Sequence, residues 1–136
     1  MIEWVKQEHR TGCGIACATM LSGKKYSEVL SLAQNTIVFD GETFRTNREQ
    51  MLALLKTMEV NTGDVRTVKH WSSLPDLAII GINYHEETDR WHWVVFQRNG
   101  EEEYVLDPQS KRQRRTDFNR MRLKYCIPIL SNCANS

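Results

Sequence analysis

Gln7-Glu8-His9-Arg10-Thr11-Gly12-Cys13-Gly14-Ile15-Ala16-Cys17-Ala18-Thr19-Met20-Leu21 opens on polar residues, passes a cysteine held between two glycines, and enters an apolar run with no breaker before Gly23. The run predicts a helix that begins at Cys13. At a helix N-terminus the unpaired backbone N–H groups and the positive end of the dipole stabilise an anion, which biases a thiol there toward thiolate, the form that attacks carbonyl carbon. Gly12 and Gly14 are read as opening a path for a substrate backbone to the sulfur and as tolerating the loop-to-helix junction. The competing reading of Cys13 is a buried structural thiol, the usual fate of free cysteine.

Beyond Gly23, apolar residues at Tyr26, Val29, Leu30 and Ala33 predict a second helix over Tyr26–Gln34. Asn35–Phe44 reads as a loop overlying a cleft. Thr46-Asn47-Arg48-Glu49 has the form of a capping box, and Met51, Leu54, Leu55 and Met58 then mark one face of a third helix. The period changes after Val60. Val65–Val68 is strand-like, Leu77–Tyr84 is an apolar run suited to a central strand, and Trp91–Gln97 alternates as a further strand. Asn99-Gly100 signals a hairpin turn from which Glu103–Leu106 pairs back before Asp107-Pro108. A helical turn at Thr116–Met121 and a last strand at Leu123–Ile129 complete an α+β fold, with N-terminal helices packed on an antiparallel sheet.

With 136 residues, 40% of them hydrophobic and 26% charged, the chain is expected to form a single domain over residues 1–136, with Ser131–Ser136 as a fraying tail. A net charge of +1 gives no molecule-wide attraction to nucleic acid or anionic membrane. The N-terminus carries no apolar core of signal-peptide length, and no later run reaches transmembrane length, so a soluble cytoplasmic protein beginning at Met1 is expected. Four cysteines (Cys13, Cys17, Cys126, Cys133) are too few and too irregular for a disulfide scaffold and are read as free thiols.

A cysteine nucleophile requires a base, a group that orients the base, and donors for the oxyanion. His92 stands inside a strand, its ring on the face of Val94 and Phe96, with Trp91, Trp93 and Val95 on the other. An imidazole there is costly to bury without a partner. With the turn centred on Asn99-Gly100, position 92 faces position 107, which sets the Asp107 carboxylate beside the ring to hold its tautomer. Against this stand a satisfied core histidine and an Asp-Pro that merely ends a strand. Gln7, six residues before Cys13, is within reach to form an oxyanion hole with the Cys13 N–H, although an ordinary surface glutamine reads the same way.

Gln7, Cys13-Gly14-Ile15-Ala16-Cys17, His92-Trp93-Val94-Val95 and Leu106-Asp107-Pro108 agree in order, type and spacing with a known pattern. The chain resembles the papain-like cysteine peptidases that remove double-glycine leaders from bacteriocin precursors. The resemblance covers roughly Gln7 to Pro108. It implies a papain-like fold, with Gln7 as oxyanion donor, Cys13 as nucleophile, His92 as base and Asp107 as orienting carboxylate. Two departures stand out: Gly12 occupies a position that is usually acidic in those peptidases, and these residues hold no membrane or ATPase segment of the kind fused to the export-coupled members, so a free-standing domain is expected.

Cleavage of an amide bond in a peptide or protein substrate is the expected activity. The same triad also serves transglutaminase-like acyl transfer and glutamine deamidase chemistry, and a non-catalytic binding module built on this fold is the remaining alternative. No cofactor is expected. Cys13 and Cys17, at i and i+4, with His9, His85 or His92 match no common zinc spacing, so no metal site is assigned. The basic cluster Lys111, Arg112, Arg114 and Arg115 lacks interleaved aromatics for stacking and is read as a solvated loop able to meet an acidic partner, not as a nucleic-acid site.

Overall fold

The computed structural model describes residues 2–132. Three helices come first: α1 (Cys13–Ser22), α2 (Tyr26–Thr36) and α3 (Arg48–Thr57). Six strands follow: β1 (Val60–Thr62), β2 (Arg66–Thr67), β3 (Leu77–His85), β4 (Arg90–Asn99), β5 (Glu102–Leu106) and β6 (Leu123–Asn132). The strands pair antiparallel in the order β1-β6-β3-β4-β5, with β2 also alongside β6. The α+β class expected from the sequence is the one observed.

Apolar on all sides, α1 lies inside the molecule, with every residue from Gly14 to Leu21 buried. It stops at Gly23, whose φ of 70° is the left-handed conformation that glycine adopts without steric cost. The amphipathic α2 and α3 cover it, burying Tyr26, Val29 and Ala33 from one and Met51, Leu54 and Leu55 from the other. The capping box of α3 is one residue later than the Thr46/Glu49 reading. Asn47 Oδ1 accepts from Gln50 N and Gln50 Oε1 from Asn47 N, each at 2.8 Å. Thr46 is drawn inward instead, its hydroxyl against Gly14 and its carbonyl accepting from Trp93 Nε1 at 2.9 Å.

Alternation along β4 divides the core in two. Trp93 and Val95 join the helices on one face of the sheet, whereas Val94 and Phe96 join Val68, Leu74 and Met121 on the other. The β4–β5 hairpin turns at Gly100-Glu101, not at Asn99-Gly100: Asn99 pairs with Glu102 and Val95 with Leu106. Gly100, with φ of 66°, supplies the positive φ that a two-residue hairpin loop needs at its first position. The expected register therefore moves by two, and position 107 lies nearer the line of Val94 than of His92. An even shift leaves both on one face, so His92 and Asp107 are diagonal neighbours rather than a direct pair.

Because β5 ends opposite Val95, residues 90–94 of β4 have no partner strand on that side among the described residues. Thr116–Met121 forms no helical turn beyond a single bond from Met121 N to Phe118 O at 2.9 Å. Ser131 and Asn132, expected in a tail, pair with Asn61 and Val60 as the end of β6. The rest of the expected tail, residues 133–136, and with it Cys133, lies outside the described residues. No described helix is long and apolar enough to cross a membrane.

Candidate active site

The position of Cys13 is set by the turn that leads into α1. Gly12 N donates to His9 O and Ala16 N to Gly12 O, both at 3.0 Å. The His9 ring meets the Tyr26 hydroxyl of α2 at 3.1 Å, and its centroid lies 4.8 Å from that of Phe44. Thr11 Oγ1 accepts from Phe44 N at 2.9 Å, tying the segment after α2 to the same turn. The flanking glycines also have a packing role that the sequence did not show. A Cβ on Gly12 would strike the Tyr26 hydroxyl, and one on Gly14 would strike the Thr46 hydroxyl, with Met51 Cε at 3.1 Å and Trp93 Cδ1 at 3.2 Å. They allow close packing of α1 against its neighbours.

Cys13 is half-buried, while Cys17, one turn on, is fully buried. Burial, followed by the charges of Cys13 and Asp107, pushes the Cys17 thiol well above its ordinary value, which leaves it an inert core group. Cys13 instead borders two cavities. One, of about 560 Å³, runs beneath residues 38–47 and past Trp91 and Trp93. The other, of about 270 Å³, is lined by both Cys13 and His92.

His92 Nε2 lies 2.7 Å from Asp107 Oδ1. The carboxylate is 5% exposed, and its remaining capacity is used: Oδ1 also accepts from Gln109 N at 2.9 Å, and Oδ2 from the Arg115 guanidinium at 3.2 Å. Burial works against the charge on Asp107, but the hydrogen bond and charge of His92, helped by Gln109 and Arg115, hold its pKa below the ordinary 3.8. Burial likewise works against protonation of His92. The bond to Asp107, together with hydrogen bonding and charge from Cys13, outweighs it and raises the imidazole from 6.5 to about 9. The ring is thus bonded to the carboxylate and borders the same cavity as the Cys13 sulfur. The N-terminal segment braces this arrangement: Trp4 Nε1 donates to Asp107 O at 2.8 Å, and Gln7 N to Pro108 O at 3.1 Å.

Of the four residues singled out in the sequence, Cys13, His92 and Asp107 are gathered together, and Gln7 lies alongside, though not with a free amide. Its Nε2 donates to His9 O and to Arg10 O, each at 2.8 Å, so both hydrogens brace the turn before Cys13. Its Oε1 is buried with no hydrogen-bond partner. Rotating the amide would press that oxygen against two carbonyls, so the observed orientation is the favoured one. The Cys13 N–H, at the first position of α1, has no intrahelical partner.

Sequence reading missed Arg115 and Trp4. Arg115 stood among like charges in the basic cluster, and only the pairing of Val105 with Arg115 carries it to Asp107. Its neighbour Arg114 covers the Tyr104 ring at 4.3 Å, so the cluster is not one continuous patch. Among the described residues, no group of three His, Cys, Asp or Glu side chains gathers to hold a metal ion. No curated protein matches the chain. The model of the peptidase C39 family matches residues 1–127, nearly the whole length, and the chain therefore belongs to that family of cysteine peptidases, of the double-glycine leader type.

Proposed function

We propose that the chain is a papain-like peptidase domain that cleaves a peptide or protein amide bond with Cys13 as nucleophile, His92 as acid and base, and Asp107 as the group that orients and charges the ring. What supports this reading is the bond of His92 to a buried carboxylate at 2.7 Å beside the cavity that His92 and Cys13 line together. Because His92 keeps its proton to about 9, the ring is already an imidazolium at neutral pH, and the Cys13 sulfur, as the thiolate paired with it, attacks the carbonyl carbon. Negative charge then collects on the carbonyl oxygen. The Cys13 N–H receives it, and Gln7 contributes by releasing one of its two backbone carbonyls in exchange. Collapse breaks the C–N bond, and the imidazolium protonates the leaving amine. Water, deprotonated by His92, hydrolyses the thioester and regenerates the thiol.

Incubation of the purified chain with peptides bearing a Gly-Gly junction, read by mass spectrometry, tests the reading. Two product peptides should appear, and both Cys13→Ala and His92→Ala should lower their rate by at least about 10⁴. Gln7→Ala should cost on the order of 10²–10³. A one-dalton gain on an intact glutamine peptide or a cross-linked product would move the assignment to deamidation or acyl transfer. Cleavage that survives Cys13→Ala would overturn it.

A further inference from the structure

The smaller cavity beside Cys13 has a composition that the triad does not explain. Arg10, Arg45 and Arg90 line it together with His85 and His92, and no acidic side chain lines it. Several other arginines are answered: Arg98 by Asp76 and Glu103, Arg115 by Asp107, and Arg48 by the face of Tyr125. Among the described residues, Arg10, Arg45 and Arg90 make no ion pair and donate no side-chain hydrogen bond. The acidic residue next in sequence, Asp89, is occupied by the Tyr84 hydroxyl at 2.8 Å. The three arginines come from separate parts of the chain: the turn before α1, the segment before α3, and the first residue of β4. Arg10 and Arg90 are exposed and Arg45 is half-buried, yet all three line the cavity of about 270 Å³ at the sulfur, which no carboxylate lines; Arg45 and Arg90 also border the larger cavity, where Asp40 and Asp89 lie.

The side of the cleaved bond follows from proton transfer. An imidazolium that protonates the leaving nitrogen must sit on the leaving-group side, and His92 lines this cavity and not the larger one. We infer that Arg10, Arg45 and Arg90 form an anion-accepting subsite for a carboxylate-bearing residue, Asp or Glu, just after the bond that Cys13 attacks. Guanidinium groups suit a carboxylate through paired N–H donors, and their positive field concentrates acidic peptides at the site. The inference rests on the peptidase reading for its substrate but not for its electrostatics, and the two are separable by experiment.

Alkylation of Cys13 is followed by mass spectrometry with iodoacetate, which carries a carboxylate, and with neutral iodoacetamide. The ratio of the two rates cancels the intrinsic nucleophilicity of the sulfur. In the unaltered chain it should exceed that of Arg10→Gln/Arg45→Gln/Arg90→Gln by about tenfold, with Arg90→Gln alone between them and the difference shrinking in high salt. In parallel, a library of decapeptides randomised at every position is digested and the new N-termini are sequenced. Asp and Glu should be enriched at their first two positions in the unaltered chain but not in the triple variant. A ratio unchanged by loss of the arginines, or cleavage with no acidic excess, overturns the subsite while leaving the peptidase reading intact. An arginine-dependent ratio in a chain that cuts nothing supports the subsite and sinks the peptidase reading.

Discussion

At the scale of single residues, the bond between His92 and Asp107 makes the chain sensitive to pH in a defined direction. His92 keeps its proton to about 9 in the folded chain against an ordinary 6.5, so its stabilising contribution is complete below pH 6.5 and is lost as pH rises through about 9. Asp107 lies below its ordinary 3.8, so its share is complete above that value and is lost only in stronger acid. Both shifts describe one pair and are counted once. Urea unfolding between pH 6.5 and 9.5 should show stability falling by roughly 2 kcal/mol, and Asp107→Asn should flatten most of that slope. The same substitution should lower kcat by about 10²–10⁴, and the alkaline limb of kcat/KM, near pH 9 in the unaltered chain, should move toward neutrality. A slope unaffected by Asp107→Asn would show that the pair does not govern it.

Single elements are fixed by tight junctions, and the junction under Cys13 is the tightest. Gly14→Ala forces a methyl group into the space of the Thr46 hydroxyl, Met51 and Trp93, where α1, α3 and β4 meet. Overpacking there should cost about 1–3 kcal/mol in thermal or urea unfolding, and adding Thr46→Ala should recover part of it. A neutral Gly14→Ala would mean that the helix shifts freely. Much at this scale was legible in the sequence. The run after Cys13 and the stripe Met51, Leu54, Leu55 specify helices by local period alone, and parity along β4 sufficed to put positions 92 and 107 on one face. The register was not legible, because Asn99-Gly100 and Gly100-Glu101 both offer a glycine for the positive φ, and neighbouring strands decide between them. The α3 cap slid for a similar reason: Thr46 is used in packing against Gly14, which leaves the cap to Asn47. The occupied amide of Gln7 and the reach of Arg115 to Asp107 were equally hidden. Each depends on where an irregular segment runs, and no periodic pattern encodes that course.

Across the whole molecule, stability should be graded outward from β3. It has a strand on both sides, and its Ala78, Ile79 and Ile80 are fully buried, so its amides open only when the sheet does. Hydrogen exchange should be slowest in β3 and the paired parts of β4 and β6. It should be fastest in residues 38–43 over the larger cavity, where Val38 is 92% exposed. Fast exchange in β3 would contradict the packing described. The sheet order also has a bearing on biosynthesis. Cys13 leaves the ribosome early, but the imidazole that flanks it is held by a carboxylate and a guanidinium that emerge only at positions 107 and 115. A nascent or prematurely terminated chain therefore lacks the oriented base that the proposed chemistry needs. The reactivity proposed for that sulfur arises only once β4 and β5 are joined, which delays any self-inflicted damage until translation has passed the second half of the molecule.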